Sequence, residues 1–166
     1  MKKIKVAIIG GGLAGLTAAI YLAQKGQKVG LFEKEAFPRH KVCGEYLSRE
    51  VLPLFDELAI PIEKLAPKNL SRLQFSTLKG KLLEVALPLG GFGISRYALD
   101  DLLYREALKH GVKVHQEKVI SVNFSENAFK ISTSKAEYAA SFVLGAYGKR
   151  SSLDRSLDRK FFQKPA

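Results

Sequence analysis

One cysteine is all the sequence has, and Cys43 on its own excludes an internal disulfide and fits a reducing compartment. No long apolar run is present either. The longest stretch free of charge, residues 6–24, is interrupted by four glycines and Thr17, so it reads as no membrane span. The basic N-terminus lacks a signal-peptide cleavage pattern, and a cytoplasmic protein is expected. His40, His110 and His115 show no metal-ligand spacing and no accompanying cysteine or carboxylate cluster, so no metal site is assigned and all three are expected at the surface. No Ser-His-Asp arrangement can be argued. Acids are scarce, 16 against 27 lysines and arginines, for a net charge of +11. The cations are scattered, without a run of five or aromatic interleaving, which argues against nucleic acid and for a solvated basic surface. Such a field suits an anionic ligand and leaves peripheral membrane contact open.

What is present begins at Lys5. The β-branched run Val6-Ala7-Ile8-Ile9 leads into Gly10-Gly11-Gly12-Leu13-Ala14-Gly15, and Leu13, Leu16, Ile20 and Ala23 follow at helical spacing. Residues 28–33 then form a second strand ending in Glu33. Strand, tight turn, helix, strand and terminal acid make a βαβ unit with a dinucleotide fingerprint. Gly10 lets the chain leave the strand, Gly12 lets the backbone approach a pyrophosphate, and Gly15 lets the helix pack closely. Glu33 can accept from the adenosine ribose hydroxyls, and FAD or NAD is the expected ligand.

Further motifs follow in order. They are Phe37-Pro38-Arg39-x-Lys41-x-Cys43-Gly44-Glu45-x-Leu47-Ser48, Ser95-Arg96-x-x-Leu99-Asp100-x-x-Leu103, and Gly145-Ala146-x-Gly148-x-x-Ser151. With the glycine turn and Glu33-Lys34, this set resembles FAD-dependent oxidoreductases of the aromatic hydroxylase (FAD-binding monooxygenase) and geranylgeranyl reductase group. The resemblance implies an α/β fold: a Rossmann-like FAD-binding domain with a small antiparallel β segment from an incomplete substrate domain. The division implied is 1–69 and 93–166 for FAD binding and 70–92 for the substrate-domain hairpin, in a truncated piece or the product of a degraded gene.

The same resemblance implies FAD as cofactor, NAD(P)H as electron donor and a small organic substrate. Its cofactor-binding positions fall on Gly10, Gly12, Leu13, Ala14, Gly15, Glu33, Lys34, Arg39, Cys43, Arg96, Val119 and Gly148, with the backbone of Val119 meeting the adenine. Tyr147 stands where many relatives have an acid. No catalytic side chain is assigned, since a flavin brings its own redox chemistry. The activity implied is monooxygenase-like. An alkene reductase of the geranylgeranyl reductase kind is the alternative, a dinucleotide module without turnover another. A halogenase stands third, because its tryptophan motif is not seen.

Elsewhere the pattern predicts a short helix over 51–58 and strands over 70–77 and 82–87 joined by a turn at 78–81, with Leu73, Phe75 and Thr77 on a buried face. Residues 90–93 read as a flexible connection. A helix over 95–110 buries Leu99, Leu102, Leu103 and Ala107 and stops at Gly111. Arg96, in its first turn, needs an anionic partner: a flavin phosphate, a ribityl oxygen, or Asp100 at helical spacing. Strands are expected over 112–115, 118–124 and 129–133, with a turn over 123–128, and a buried strand over 139–146. Cys43 reads as a small residue at a turn, for want of a second cysteine. The tail from residue 152 is basic and carries no terminal helix or stop signal.

Overall fold

The computed structural model describes residues 1–149, 153 and 154; Ser151 of the last motif and the rest of the tail lie outside the described residues. The chain divides into two compact units, Met1–Phe37 with Leu103–Ala166, and Pro38–Leu102.

In the first unit β1 (Lys2–Ile9), helix α1 (Leu13–Gln24) and β2 (Val29–Glu33) form the expected βαβ element. Strands β6 (Lys113–Gln116), β7 (Val119–Ser125), β8 (Ala128–Thr133) and β9 (Glu137–Gly145) complete a six-stranded sheet of order β6-β2-β1-β9-β8-β7. The strands from β6 to β9 run parallel, whereas β9-β8-β7 is an antiparallel meander. Residues 6–9 of β1 and 29–32 of β2 are uncharged and buried, as expected of parallel strands covered on both faces, which explains their continuous apolar reading. Ile8, Leu16, Ile20 and Leu31 are fully buried, each contributing about 1.5–3 kcal/mol by leaving water. Ile9, Phe32, Ile131 and Tyr138 belong to a further core cluster with Leu153.

Two expectations change here. The meander strands run further than predicted, so the turn shrinks to Glu126-Asn127, both in the left-handed region at φ 53 and 57°. Strand β9 is buried only in part. Tyr138 and Ala140 are in the core, whereas Phe142 and Leu144 are exposed, because apolar composition does not say which stretch finds a neighbour.

In the second unit β3 (Tyr46–Ser48), β4 (Lys68–Ser76) and β5 (Leu82–Gly93) make an antiparallel sheet of order β3-β5-β4. A 3-10 turn capped by Ser48 and a short helix, α2 (Leu52–Glu57) with Pro53 near its start, lie between β3 and β4. The expected flexible connection at 90–93 is instead the end of β5, pairing with both β3 and β4. Gly91 is required there, since a Cβ would fall on the Tyr46 ring and stand 2.7 Å from the Leu47 carbonyl oxygen. The predicted buried face of the hairpin is not buried. Every residue of β4 is exposed, including Leu73 and Phe75, because nothing among the described residues covers that face. The registers Leu73↔Val85 and Phe75↔Leu83 place four apolar residues side by side.

Helix α3 (Arg96–Lys109) carries the chain back into the first unit, burying Leu99, Leu103 and Ala107, with Leu102 half-buried. Gly111 at φ 80° ends it, as the pattern predicted. No helix among the described residues is long and apolar enough to cross a membrane.

Candidate dinucleotide-binding site

The three fingerprint glycines stand at the carboxyl end of β1, flanked on both sides. Gly10 donates its amide to the Phe32 carbonyl (2.8 Å), and Ala146 donates to the Ile9 carbonyl (2.8 Å), tying β2 and the end of β9 to the turn. Gly10 has φ 108°, where L side chains are strained, and a Cβ there would strike the Ala146 carbonyl. A Cβ on Gly15 would strike the Gly10 carbonyl oxygen, so α1 lies as close to the strand as a bare backbone permits. Gly12 is the N-cap of α1 and its side-chain-free end is extended, at φ −84° and ψ −174°. Leu13, Ala14 and Gly15 form the first turn, so its amides, which have no intrahelical acceptor, and the positive helix end face outward beside the turn.

Glu33 is buried, and its carboxylate points at this turn: Oε2 accepts from the Gly11 amide at 2.8 Å and Oε1 from the Glu35 amide at 3.1 Å. Phe37 lies over the same place. Its ring edge would be 2.8 Å from a Cβ on Gly11, and the ring stacks on Tyr104 at 4.5 Å. Glycine at 11 therefore makes room for an acid and an aromatic ring. The bare backbone of the turn packs against the end of the sheet, the Glu33 carboxylate and the Phe37 ring. With helix amides at its end and an oriented carboxylate beside it, the turn carries the donors and the acceptor that a dinucleotide pyrophosphate and ribose need.

The remaining predicted positions scatter. Lys34 is exposed and pairs with Glu35 at 3.5 Å. The Val119 side chain is in the core, and its backbone pairs with Thr133 at the start of β7. Gly148 has φ 77° with open space around it. Arg39, Cys43 and Arg96 belong to the second unit. Arg39 is buried and Cys43 is exposed with a free thiol. Of the partners weighed for Arg96, Asp100 is the one present: Nε and Nη2 donate to its two oxygens at 2.9 and 3.1 Å, and Asp100 is fully buried. Burial alone would lower the guanidinium pKa, but Asp100, with a smaller contribution from Cys43, outweighs it and raises it. Glu45 Oε1 accepts from the Arg96 amide at the start of α3.

Sequence reasoning missed one polar cluster. His115, expected at the surface, is half-buried and stacks on Phe32 with ring centroids 4.8 Å apart. Burial lowers its pKa, and Lys2 and Lys113 add to this against the opposing charge of Glu117. Tyr138 donates to Glu117 Oε1 at 2.8 Å, and Thr133 donates to Glu117 Oε2. Burial would raise the Glu117 pKa, yet the two hydroxyls with His115 and Lys135 hold it below its ordinary value. Tyr138, desolvated and bonded to that carboxylate, is pushed up to about 12. No periodicity marks these residues, which meet from three strands and a loop.

Fold and turn together have the architecture of Rossmann-type flavoproteins. Residues 5–42, the opening βαβ unit with the loop after it, match the family model described as FAD dependent oxidoreductase. Tryptophan 2-halogenase of Chondromyces crocatus is 35% identical over 127 residues, 68% of this chain and 22% of the halogenase. Menaquinone reductase of Mycobacterium tuberculosis is 28% identical over 166 residues, 94% of this chain and 40% of the reductase. The crystal structure of p-nitrophenol 4-monooxygenase from Pseudomonas putida superposes with a TM-score of 0.80 at 18% identity, covering 92% of this chain and 43% of the enzyme. The chain thus spans less than half the length of each. The group is broader than the aromatic hydroxylases and geranylgeranyl reductases that the motifs suggested, since a halogenase stands among its relatives.

Proposed function

We propose that this chain is the FAD-binding portion of an NAD(P)H-linked oxidoreductase of the monooxygenase and halogenase kind, acting on a small organic molecule. The observation that carries the reading is the glycine turn over residues 10–15 with Glu33 bonded to its Gly11 amide. In it Gly12, Leu13, Ala14 and Gly15 receive the pyrophosphate and Glu33 the adenosine ribose, while Lys34 supplies positive charge and Val119 and Gly148 approach through backbone. Bound FAD supplies hydride acceptance and reaction with oxygen; the protein supplies binding, orientation and electrostatics. Segment 70–92 opens the substrate domain, a role supported by its exposed apolar face.

A second reading, a flavin-dependent alkene reductase, is favoured by the menaquinone reductase match across nearly the whole chain. The test is purification and reconstitution with FAD, followed by NAD(P)H oxidation with and without oxygen. A flavin spectrum with oxygen uptake coupled to NAD(P)H supports the first reading. NAD(P)H consumption that needs an alkene acceptor and no oxygen supports the second. Retained flavin without turnover marks a binding module, and a chain that retains no FAD refutes all three.

A further inference from the structure

The order β1, β2, β6 across the sheet fixes a direction. The glycine turn that suits a pyrophosphate ends β1, and the carboxylate that suits a ribose ends β2. The next strand outward is β6, running parallel to β2, with its last residue, Gln116, in register with Glu33. Neighbouring strands are about 4.8 Å apart. A base carried by a sugar at Glu33 therefore extends over the end of β6, towards the loop Glu117-Lys118.

That loop is held unusually firmly for two residues joining two strands. Its carboxylate is clasped by the Thr133 and Tyr138 hydroxyls. Lys118 exchanges hydrogen bonds with Ser134, its amide donating to Oγ at 3.2 Å and its carbonyl accepting from the Ser134 amide at 2.8 Å. Thr133 also receives the Ala136 amide at 2.9 Å, and its backbone pairs with Val119 at the far end of the loop. The anchor is stiff because Tyr138 is buried, wedged edge-on against Phe32, with Lys2 over its outer face. Glu117 also donates its own amide to the His115 carbonyl at 2.9 Å, so carboxylate and main chain together fix where the loop lies.

We propose that Glu117 is a positioning residue: through Thr133 and Tyr138 it fixes the Gln116–Val119 backbone where the base of a bound dinucleotide lies, and so sets the preference for adenine. The inference rests on the dinucleotide reading above. Its test compares ADP with GDP, which share sugar and diphosphate and differ only in the base edge, by titration calorimetry on the full chain. The wild type binds ADP more tightly than GDP. Glu117→Ala raises the ADP dissociation constant about tenfold, the loss expected when a charge-assisted clasp is removed, and leaves GDP unchanged. Tyr138→Phe, which removes a single hydroxyl, gives a smaller loss of the same kind. Glu117→Gln, still able to accept from Tyr138, recovers most of the preference. Thermal melts show which variants fold, and Tyr138→Phe carries the test if Glu117→Ala does not. Equal weakening of both nucleotides, no change in a folded variant, or a wild type indifferent to the base overturns this inference alone. A wild type that binds neither nucleotide overturns the dinucleotide reading with it.

Discussion

Replacing Gly15 by alanine adds one methyl group at the tightest point of the turn. The new Cβ would collide with the Gly10 carbonyl oxygen and stand 3.1 Å from its carbon and 3.4 Å from the Ala146 Cβ. Relaxed carbon contacts need about 3.5–4.0 Å, so the first turn of α1 has to retreat from β1 by about 1 Å. Overpacking of this size costs about 1–3 kcal/mol. For a chain of this length each kcal/mol is worth about 2–4 °C, and the melting temperature falls by about 2–12 °C. The retreat also draws the helix-end amides back from any phosphate, beyond the ~3.2 Å at which N–H···O bonds hold, and FAD affinity drops at least about tenfold. Thermal melts of the apoprotein and titration of FAD by flavin fluorescence measure the two effects. Gly26→Ala is the control: at φ 74° with open space around it, it costs about 1 kcal/mol in backbone strain and leaves FAD affinity unchanged. If Gly15→Ala keeps its melting temperature and its FAD affinity, or Gly26→Ala loses FAD equally, the steric account of the turn is wrong.

Asp100→Ala strands the Arg96 guanidinium, and a loss of about 3 kcal/mol in urea denaturation is expected, with Asp100→Asn intermediate. Stability should also depend on pH on both sides of neutrality. His115 and Glu117 have lowered pKa values when folded, so the unfolded chain binds more protons. Stability is present above about pH 6.5 and falls on acidification, first through the histidine and then through the glutamate. Tyr138, raised to about 12, reverses the sign: its contribution is full below pH 10 and is lost as pH rises from 10 to 12. Chemical denaturation across pH 4–11 should give a plateau with both flanks, and His115→Phe should remove the first step of the acid flank. Phe75→Lys, on the exposed face of β4, should reduce self-association in light scattering while changing stability by no more than about 0.5 kcal/mol.

The turn was legible in sequence because its cause is local. A backbone at φ 108° and a helix packed onto a carbonyl exclude every Cβ, so glycine had to appear at positions 10 and 15 whatever the rest of the chain does. The end of α3 at Gly111 was readable for the same reason. Partner-dependent features were not. Tyr46–Ser48 is too short to show alternation, and it is a strand because β5 is long enough to receive it. Gly90–Gly93 carries a breaker's composition, yet Gly91 belongs in the strand because Tyr46 occupies the space of its missing side chain. Alternation at Leu73 and Phe75 identified an apolar face correctly, but whether anything covers a face is decided outside the strand. Glu117 gave no signal, since its hydroxyl partners stand 16 and 21 residues away.

The bond from Gly11 to Glu33 has a practical corollary. Because a main-chain amide of the turn itself holds the acid, its orientation needs no partner from outside the turn, and little ordering entropy is spent at that carboxylate on binding. Flavin stripped from such a protein should therefore return on simple mixing, within the time of an encounter rather than of a folding event. The empty and loaded forms should give the same protease digestion pattern around residue 33.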